Sequence, residues 1–143
     1  MKDGAGGGPG SVSLAFSELC GTWLALEAGA ALNFGRARAA CLDPGTRWLD
    51  AALLLGQSPA GDEERRWARI GAPETPLAVL LGGALTIRPV ALSTVHPLPA
   101  LLAPAAARLG CAGLVAEADR FAFLLDPRLL AALVERPDSP RCA

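Results

Sequence analysis

The chain has 143 residues, of which 52% are apolar and 19% charged, and its 13 basic and 14 acidic residues leave a formal net charge of −1. This composition supports a packed core and excludes wholesale disorder, and the length allows one domain or two small lobes that share a core. A nearly neutral chain has no broad positive field to attract phosphates, so we expect no nucleic-acid binding.

The two ends of the chain differ in composition from the middle. Residues 1–10 are rich in glycine and have no periodicity, so they predict a disordered leader. Residues 136–143 contain Pro137 and Pro140 and predict a flexible tail. The sequence therefore predicts a single folded domain over residues 11–135.

Membrane insertion and secretion are not expected from this sequence. The longest apolar stretch runs from Pro76 to Ile87 and contains two glycines, whereas a bilayer span needs about 20 residues. The N-terminus has one lysine followed by Asp3 and a glycine run, instead of a charged start with an apolar segment. We expect a cytoplasmic protein.

Alternating polar and apolar residues predict β-strands along most of the chain. Residues 11–16 and 22–26 predict a hairpin across Cys20-Gly21, residues 31–34 and 37–42 are weaker strand candidates before a turn at 43–45, and 58–64 is a polar loop. Residues 66–70 and 77–81 predict a second hairpin with a turn at 72–74, Gly82-Gly83 a close backbone approach, and 86–90 an edge strand that contains Pro89. Short strands at close spacing favour small barrels or a sandwich.

The C-terminal part alternates between helix and strand patterns. Residues 98–109 predict a helix that places Leu101, Leu102, Ala105 and Leu109 on one face and stops at Gly110, with Pro104 as an unfavourable residue near its start. Residues 113–116 and 121–125 predict a third hairpin. A final helix places Leu129, Leu130, Leu133 and Val134 on its inner face.

One unit occurs twice: an apolar strand that ends in aspartate and passes directly into a leucine-rich helix. The aspartates are Asp50 and Asp126, and each is expected to cap its helix by accepting from a free backbone N–H of the first turn. Pro127 suits the first helical position, and Gly56 can close the first helix in a left-handed conformation. The repetition suggests two related subdomains.

Residues for catalysis or metal binding are few. Cys20, Cys41, Cys111 and Cys142 include no Cys-x-x-Cys pair, and His96 is the only histidine, so no metal or other cofactor is expected. We interpret three of the cysteines as buried thiols and Cys142 as part of the tail, although an even count also permits two disulfides in an oxidising compartment. His96 is expected in a loop without an acid–base relay, so the sequence does not indicate an enzyme.

Eight short apolar segments follow one another in a fixed order along the chain. They are Leu77–Ala84, Ile87–Val90, Leu98-Pro99, Cys111–Val115 and Phe123–Pro127 in the second half, and Leu14–Phe16, Trp23–Leu26 and Trp48–Gly56 in the first. In order and spacing this series resembles the CheW-type domain, the adaptor module of bacterial chemosensory arrays. The resemblance covers nearly the whole chain, but no single segment is a specific motif.

The resemblance implies a mainly β fold of two five-stranded SH3-like barrel lobes with short helices. It also implies a non-catalytic adaptor that docks to the regulatory domain of a CheA-type histidine kinase or to chemoreceptors. The chain departs from the family in three ways: the segment before Asp50 is short, which predicts a trimmed first lobe; Cys41–Gly45 replaces a receptor-contacting stretch; and Gly82 replaces an acidic residue. These departures suggest a divergent member that binds a different partner or only one of the usual two.

Tryptophan flanked by arginine is the best sequence signal for a protein interface, because both residues are enriched among interface hot spots. Arg47 and Trp48 form one such group, and Arg66, Trp67 and Arg69 form the other. The alternative is that both tryptophans are core residues covered by arginines. A self-associating assembly module that forms homodimers remains the alternative function, and a small hydrolase a more distant one.

Overall fold

The computed structural model describes residues 10–37, 46–57, 64–71 and 77–134. Within these residues the chain forms ten strands, three α-helices and two 3-10 turns. The strands are β1 (Ser11–Leu19), β2 (Thr22–Glu27), β3 (Ala31–Ala37), β4 (Arg47–Asp50), β5 (Arg65–Ile70), β6 (Leu77–Leu80), β7 (Thr86–Ala91), β8 (Val95–Pro97), β9 (Cys111–Ala116) and β10 (Phe121–Leu125). The helices are α1 (Ala51–Leu54), α2 (Ala103–Ala107) and α3 (Pro127–Val134), and the 3-10 turns are Ala28–Ala30 and Leu92–Thr94.

The strands form two sheets, which are named here the large sheet and the small sheet. The large sheet has six strands in the order β7-β1-β2-β10-β9-β8, and the small sheet has four described strands in the order β3-β5-β6-β4. Neighbouring strands are antiparallel except for the parallel pairs β2–β10 and β4–β6. The predicted mainly β fold with two lobes and short helices is confirmed.

The large sheet is curled towards a barrel. Its edge strands β7 and β8 stand at opposite ends of the strand order, yet only Leu92–Thr94 lie between them in the chain. Across a flat six-stranded sheet the edges would be about 24 Å apart. The short connection spans about 14 Å at most. The sheet must therefore curve, and a core that includes Leu14, Phe16 and Val115 fills its interior.

The pairing of the strands shows that the two sheets are built alike. Leu14 pairs with Glu27 on one side and Arg88 on the other, and in the small sheet Trp67 pairs with Leu80 and Gly35 in the corresponding ladders. The same spacing along the chain separates Leu14 from Trp67, Glu27 from Leu80 and Gly35 from Arg88. Strands β7-β1-β2-β10 thus correspond one by one to β3-β5-β6-β4.

The two related units, β1–β4 and β5–β10, exchange strands to build these sheets. Strands β3 and β4 of the first unit pair with β5 and β6 of the second, while β7 and β10 of the second unit pair with β1 and β2 of the first. In the parallel ladders Leu125 pairs with Leu26 as Leu49 pairs with Val79, so Asp126 and Asp50 follow at corresponding positions. Each sheet therefore contains strands of both units.

A shared apolar core lies between the two sheets and the helices. On β2, Leu24 and Leu26 face this core while Ala25 faces the interior of the large sheet, as the alternation of side chains along a strand requires. On the small sheet, Leu77 and Val79 face the same core. The shared core also includes Leu49, Leu54, Ala68, Ile70, Leu81, Leu125, Leu130 and Leu133.

Gly82 lies at the contact between the two sheets. Its N–H donates to the buried Ser17 Oγ at 2.9 Å, and a Cβ at this position would lie 2.0 Å from the carbonyl oxygen of Glu18. The close backbone approach predicted at this residue is confirmed. Because any side chain would collide with β1, packing requires glycine at this position.

The helix predicted over residues 98–109 is wrong in both extent and burial. Helix α2 covers only Ala103–Ala107 and buries none of its residues. Leu101, Leu102 and Leu109 are 90%, 53% and 37% exposed. Pro104 lies within the first turn, where its ring is tolerated, but it would clash with the carbonyl of a preceding helical turn. The apolar pattern here therefore does not indicate a core-facing helix.

Two smaller predictions are also corrected. Cys20 is exposed, not buried, because it forms the tight β1–β2 turn with Gly21, and both residues have positive φ angles, 53° and 79°. His96 lies on the short strand β8, opposite Leu114, and not in a loop. It is exposed.

Other predictions fall on residues that the structure does not describe. They are the leader over residues 1–9, the turns at 43–45 and 72–74, most of the strand candidate 37–42, most of the polar loop 58–64, and the tail with Cys142. Cys41 is in this group as well. In the described part of the chain, no helix has both the length and the apolar character needed to span a bilayer.

Candidate functional site

The face of the small sheet that points away from the shared core is polar and aromatic. Alternation along β4 and β5 places Trp48 and Asp50 beside Arg65, Trp67 and Arg69 on this face. In the large sheet, the positions that correspond to the three β5 residues are Val12, Leu14 and Phe16, which belong to or pack against its apolar interior. The two related sheets thus differ most in the chemistry of this face.

A buried ion pair forms the base of this face. Arg65 Nη1 and Nη2 donate to the Oδ2 and Oδ1 atoms of Asp50 at 2.9 and 2.7 Å, and the two side chains are only 5% and 2% exposed. Arg65 also donates to the backbone carbonyls of Leu81 and Leu80, at 2.8 and 3.3 Å. Asp50 Oδ1 accepts from the N–H of Ala52 at 2.9 Å and so lies at the N-cap of α1. The guanidinium therefore joins the two parallel strands to the start of the helix.

Two tryptophans and one arginine form the outer part of the face, which we call the Trp–Arg cluster: Trp48, Trp67 and Arg69. The two indole rings meet edge to face with centroids 6.3 Å apart, and the Arg69 guanidinium carbon lies 5.7 Å from the Trp67 centroid. All three side chains are half-buried. The buried Nε of Arg69 has no hydrogen-bond partner.

The Trp67 ring is held rigidly against strand β3. A Cβ on Gly35 would lie 2.2 Å from the ring, so the absence of a side chain there lets the indole lie flat on the backbone. The indole Nε1 donates to the carbonyl of Arg36 at 3.2 Å. A ring fixed in this way loses little conformational entropy when a partner covers it.

The structure brings together three of the five predicted interface residues. Arg66 lies on the opposite face of β5, and its Nε donates to the carbonyl of Gly83 at 3.2 Å. Arg47 lies on the opposite face of β4 from Trp48, where it pairs with Leu77 in the parallel ladder. Sequence reasoning placed these arginines next to tryptophans in the chain, but alternation along a strand separates neighbours to opposite faces.

The second predicted cap, Asp126, lies at the start of α3. Its Oδ1 accepts from the N–H of Arg128 at 2.8 Å, as Asp50 does from Ala52. The Arg128 side chain is 94% exposed, and its Nε lies 3.8 Å from Asp126 Oδ1. The side chain of Asp126 is 23% exposed, so this carboxylate is far more accessible than that of Asp50.

A second charged group, which no sequence pattern indicated, lies at the end of the large sheet. Glu117 forms ion pairs with Arg88 and Arg120, and these two guanidinium groups lie over the rings of Phe16 and Trp23 at 4.0 and 3.8 Å. Partial burial acts to raise the pKa of Glu117, but the hydrogen bonds and charges of the two arginines outweigh it and hold the pKa below its ordinary value. The cluster joins β7 to the β9–β10 turn.

The reactive side chains are dispersed. Cys111 is buried and its thiol donates to the carbonyl of Gly113 at 3.2 Å; burial raises the pKa of this thiol, which opposes formation of a thiolate. Among the described residues no three His, Cys, Asp or Glu side chains are placed to hold a metal ion.

Comparison with solved structures bears on the fold. The scaffolding protein TtCheW from Thermoanaerobacter tengcongensis superposes with a TM-score of 0.62 over 80% of this chain and 88% of that protein, at 11% sequence identity. The fold is CheW-like. No protein-family model and no curated protein sequence matches the chain. The CheW-like fold is thus shared with a protein whose sequence is very different.

Proposed function

We propose that the chain is a non-catalytic adaptor of a bacterial chemosensory pathway that acts in the cytoplasm. The observation that carries this proposal is the CheW-like fold, shared over most of both chains with a protein described as a scaffolding protein. The partner is the regulatory domain of a CheA-type histidine kinase, a chemoreceptor, or both. Docking requires no cofactor.

The Trp–Arg cluster is the proposed docking site. Trp48, Trp67 and Arg69 combine aromatic area with a cation, and the buried Asp50–Arg65 pair beneath them fixes the strands that carry them. The half-buried guanidinium of Arg69 carries a permanent charge and can donate through its terminal nitrogens to an acceptor on a partner, such as a carboxylate. Arg47 and Arg66 lie on the opposite face of the small sheet, so they are not part of this docking site.

The departures from the family pattern favour a narrower role than that of a complete adaptor. The stretch that contacts receptors in the family is replaced in this chain by Cys41–Gly45. We therefore propose that docking to the kinase is retained and docking to receptors is lost or altered.

Self-association is the second candidate function, and exposed apolar side chains favour it. Leu101 and Leu102 are 90% and 53% exposed, and Phe121 and Phe123 are 62% and 38% exposed. Single exposed apolar residues are common on proteins, whereas contiguous exposed apolar patches mark contact surfaces. A homodimer would be formed through such residues and not through the Trp–Arg cluster.

Titration calorimetry with a CheA-type regulatory domain tests the first proposal. The substitution Arg69→Gln removes the charge next to Trp67, and we expect it to weaken binding about tenfold. Arg66→Gln is the matched control, because this residue lies on the same strand but on the opposite face, and we expect less than a twofold change. Absence of binding by the unmodified chain, together with a homodimer that forms with rising concentration, would instead support self-association.

A further inference from the structure

A cavity of about 330 Å³ lies where the parallel strands β2 and β10 end. Glu27 is the last residue of β2, Asp126 directly follows β10, and Arg128 lies in the first turn of α3. The rest of the lining is apolar and consists of alanine, leucine and proline side chains, among them Ala112 and Leu124. The cavity therefore combines an apolar wall with two carboxylates.

The corresponding place in the small sheet is already occupied by an arginine of the same chain. Where β6 and β4 end, beside Asp50, the guanidinium of Arg65 makes two hydrogen bonds to the carboxylate and two to backbone carbonyls. Asp50 corresponds in register to Asp126, and Leu80 corresponds to Glu27. The fold thus shows how this position binds a guanidinium group.

The large sheet has no arginine to place there. The residue that corresponds to Arg65 is Val12, because Val12 pairs with Val90 as Arg65 pairs with Ala37. Its side chain packs against the interior of the large sheet. Among the described residues, no buried guanidinium lies beside the carboxylate of Asp126 as Arg65 lies beside Asp50.

We infer that this cavity is a docking slot for an arginine side chain presented by a protein partner. The apolar wall suits the methylene stem of arginine, and the carboxylates of Asp126 and Glu27 suit its planar, permanently charged fork. Asp126 can serve both roles, as Asp50 does: Asp50 Oδ1 accepts from the helix N–H and from the guanidinium, while Oδ2 accepts from the guanidinium alone. The slot is separate from the Trp–Arg cluster, so it does not depend on the identity of the partner proposed above.

Arg128 is the cation that competes for this slot. Its Nε lies 3.8 Å from Asp126 Oδ1, beyond hydrogen-bond distance, and the side chain is 94% exposed. It therefore stands in solvent at the mouth and leaves the cavity open. A guest arginine would displace this weak pairing, so removal of the Arg128 side chain should strengthen binding.

The test is an NMR titration of the full chain with Nα-acetyl-arginine N-methylamide, compared with its neutral citrulline isostere. We expect shifts of the amide signals of Glu27, Ala112 and Leu124, with the citrulline probe bound at least fivefold more weakly. Asp126→Asn keeps a capping oxygen but removes the charge, and it should weaken arginine binding about fivefold. Glu27→Gln should act in the same direction, and Arg128→Ala should strengthen binding.

Asp119→Asn is the control, because Asp119 is an exposed carboxylate in the β9–β10 turn and does not line the cavity. It should leave binding unchanged. Equal affinity for the two probes, shifts confined to other regions, or full affinity in a folded Asp126→Asn variant would overturn the assignment. A failure to bind the kinase domain, with specific arginine binding intact, would contradict the proposed function alone.

Discussion

The buried Asp50–Arg65 pair predicts a large and asymmetric loss of stability when one partner is removed. Asp50→Asn keeps an oxygen that can accept from Ala52 but removes the charge that neutralises Arg65. The guanidinium side chain, 5% exposed, would then remain buried with only its two carbonyl acceptors and a neutral amide. Breaking a buried pair in this way costs about 3–5 kcal/mol.

The chain supplies its own control for this substitution. Asp126→Asn changes the corresponding cap of the related unit, where none of the described guanidinium groups is buried, and asparagine caps helices about as well as aspartate. We expect this variant to lose less than about 0.5 kcal/mol. Comparison of the two variants separates the contribution of the ion pair from that of the cap.

Urea unfolding followed by circular dichroism measures both changes. Arg65→Met should also cost about 3 kcal/mol, while the double variant Asp50→Asn with Arg65→Met should lose at least about 2 kcal/mol less than the sum of the single variants. Additive losses, or a loss below about 1 kcal/mol for Asp50→Asn, would show that the two side chains do not form a buried, coupled pair.

Two further predictions concern the contacts of the large sheet. Gly82→Ala should destabilise the fold by about 2 kcal/mol or more in urea unfolding, since its Cβ would lie 2.0 Å from the Glu18 carbonyl, whereas Gly83→Ala, with its nearest such contact at 3.3 Å, should change stability much less; equal effects would contradict the close approach. Because the folded pKa of Glu117 lies below its ordinary value of 4.5, its stabilising contribution is present above about pH 4.5 and is lost as the pH falls through the folded pKa. The difference in unfolding free energy between the unmodified chain and Glu117→Gln should therefore be larger at pH 6.5 than at pH 3.5, and a pH-independent difference would refute this reasoning.

The fold could be predicted from the sequence wherever a pattern acts locally. Alternation along β1 and β2 and the placement of Asp50 and Asp126 directly after strands both depend on neighbouring residues. The exposure of Leu101 and Leu102 could not be predicted in this way. A helical pattern indicates which side chains share a face, but not whether another element covers that face. Local rules therefore gave the elements, and the tertiary structure decided their burial.

The candidate site was predictable in part, for the same reason. Tryptophan and arginine composition indicated Trp48, Trp67 and Arg69, but adjacency in the chain also suggested Arg66, which alternation places on the other face. Arg65 was missed because its role depends on pairing with Asp50, a residue of another strand. A charge at a position where the related strand has an apolar residue is the signal that could have identified it.

The two related units differ in how the aspartate at their helix start is paired. A duplicated unit places an aspartate at the start of a helix in each sheet, and a buried carboxylate is stable only when it is paired. In the small sheet the chain supplies Arg65 for this purpose, and the site is closed. In the large sheet Val12 occupies that position, so Asp126 remains partly exposed beside an open cavity. One copy of the unit thus serves stability, which leaves the other free to recognise a partner.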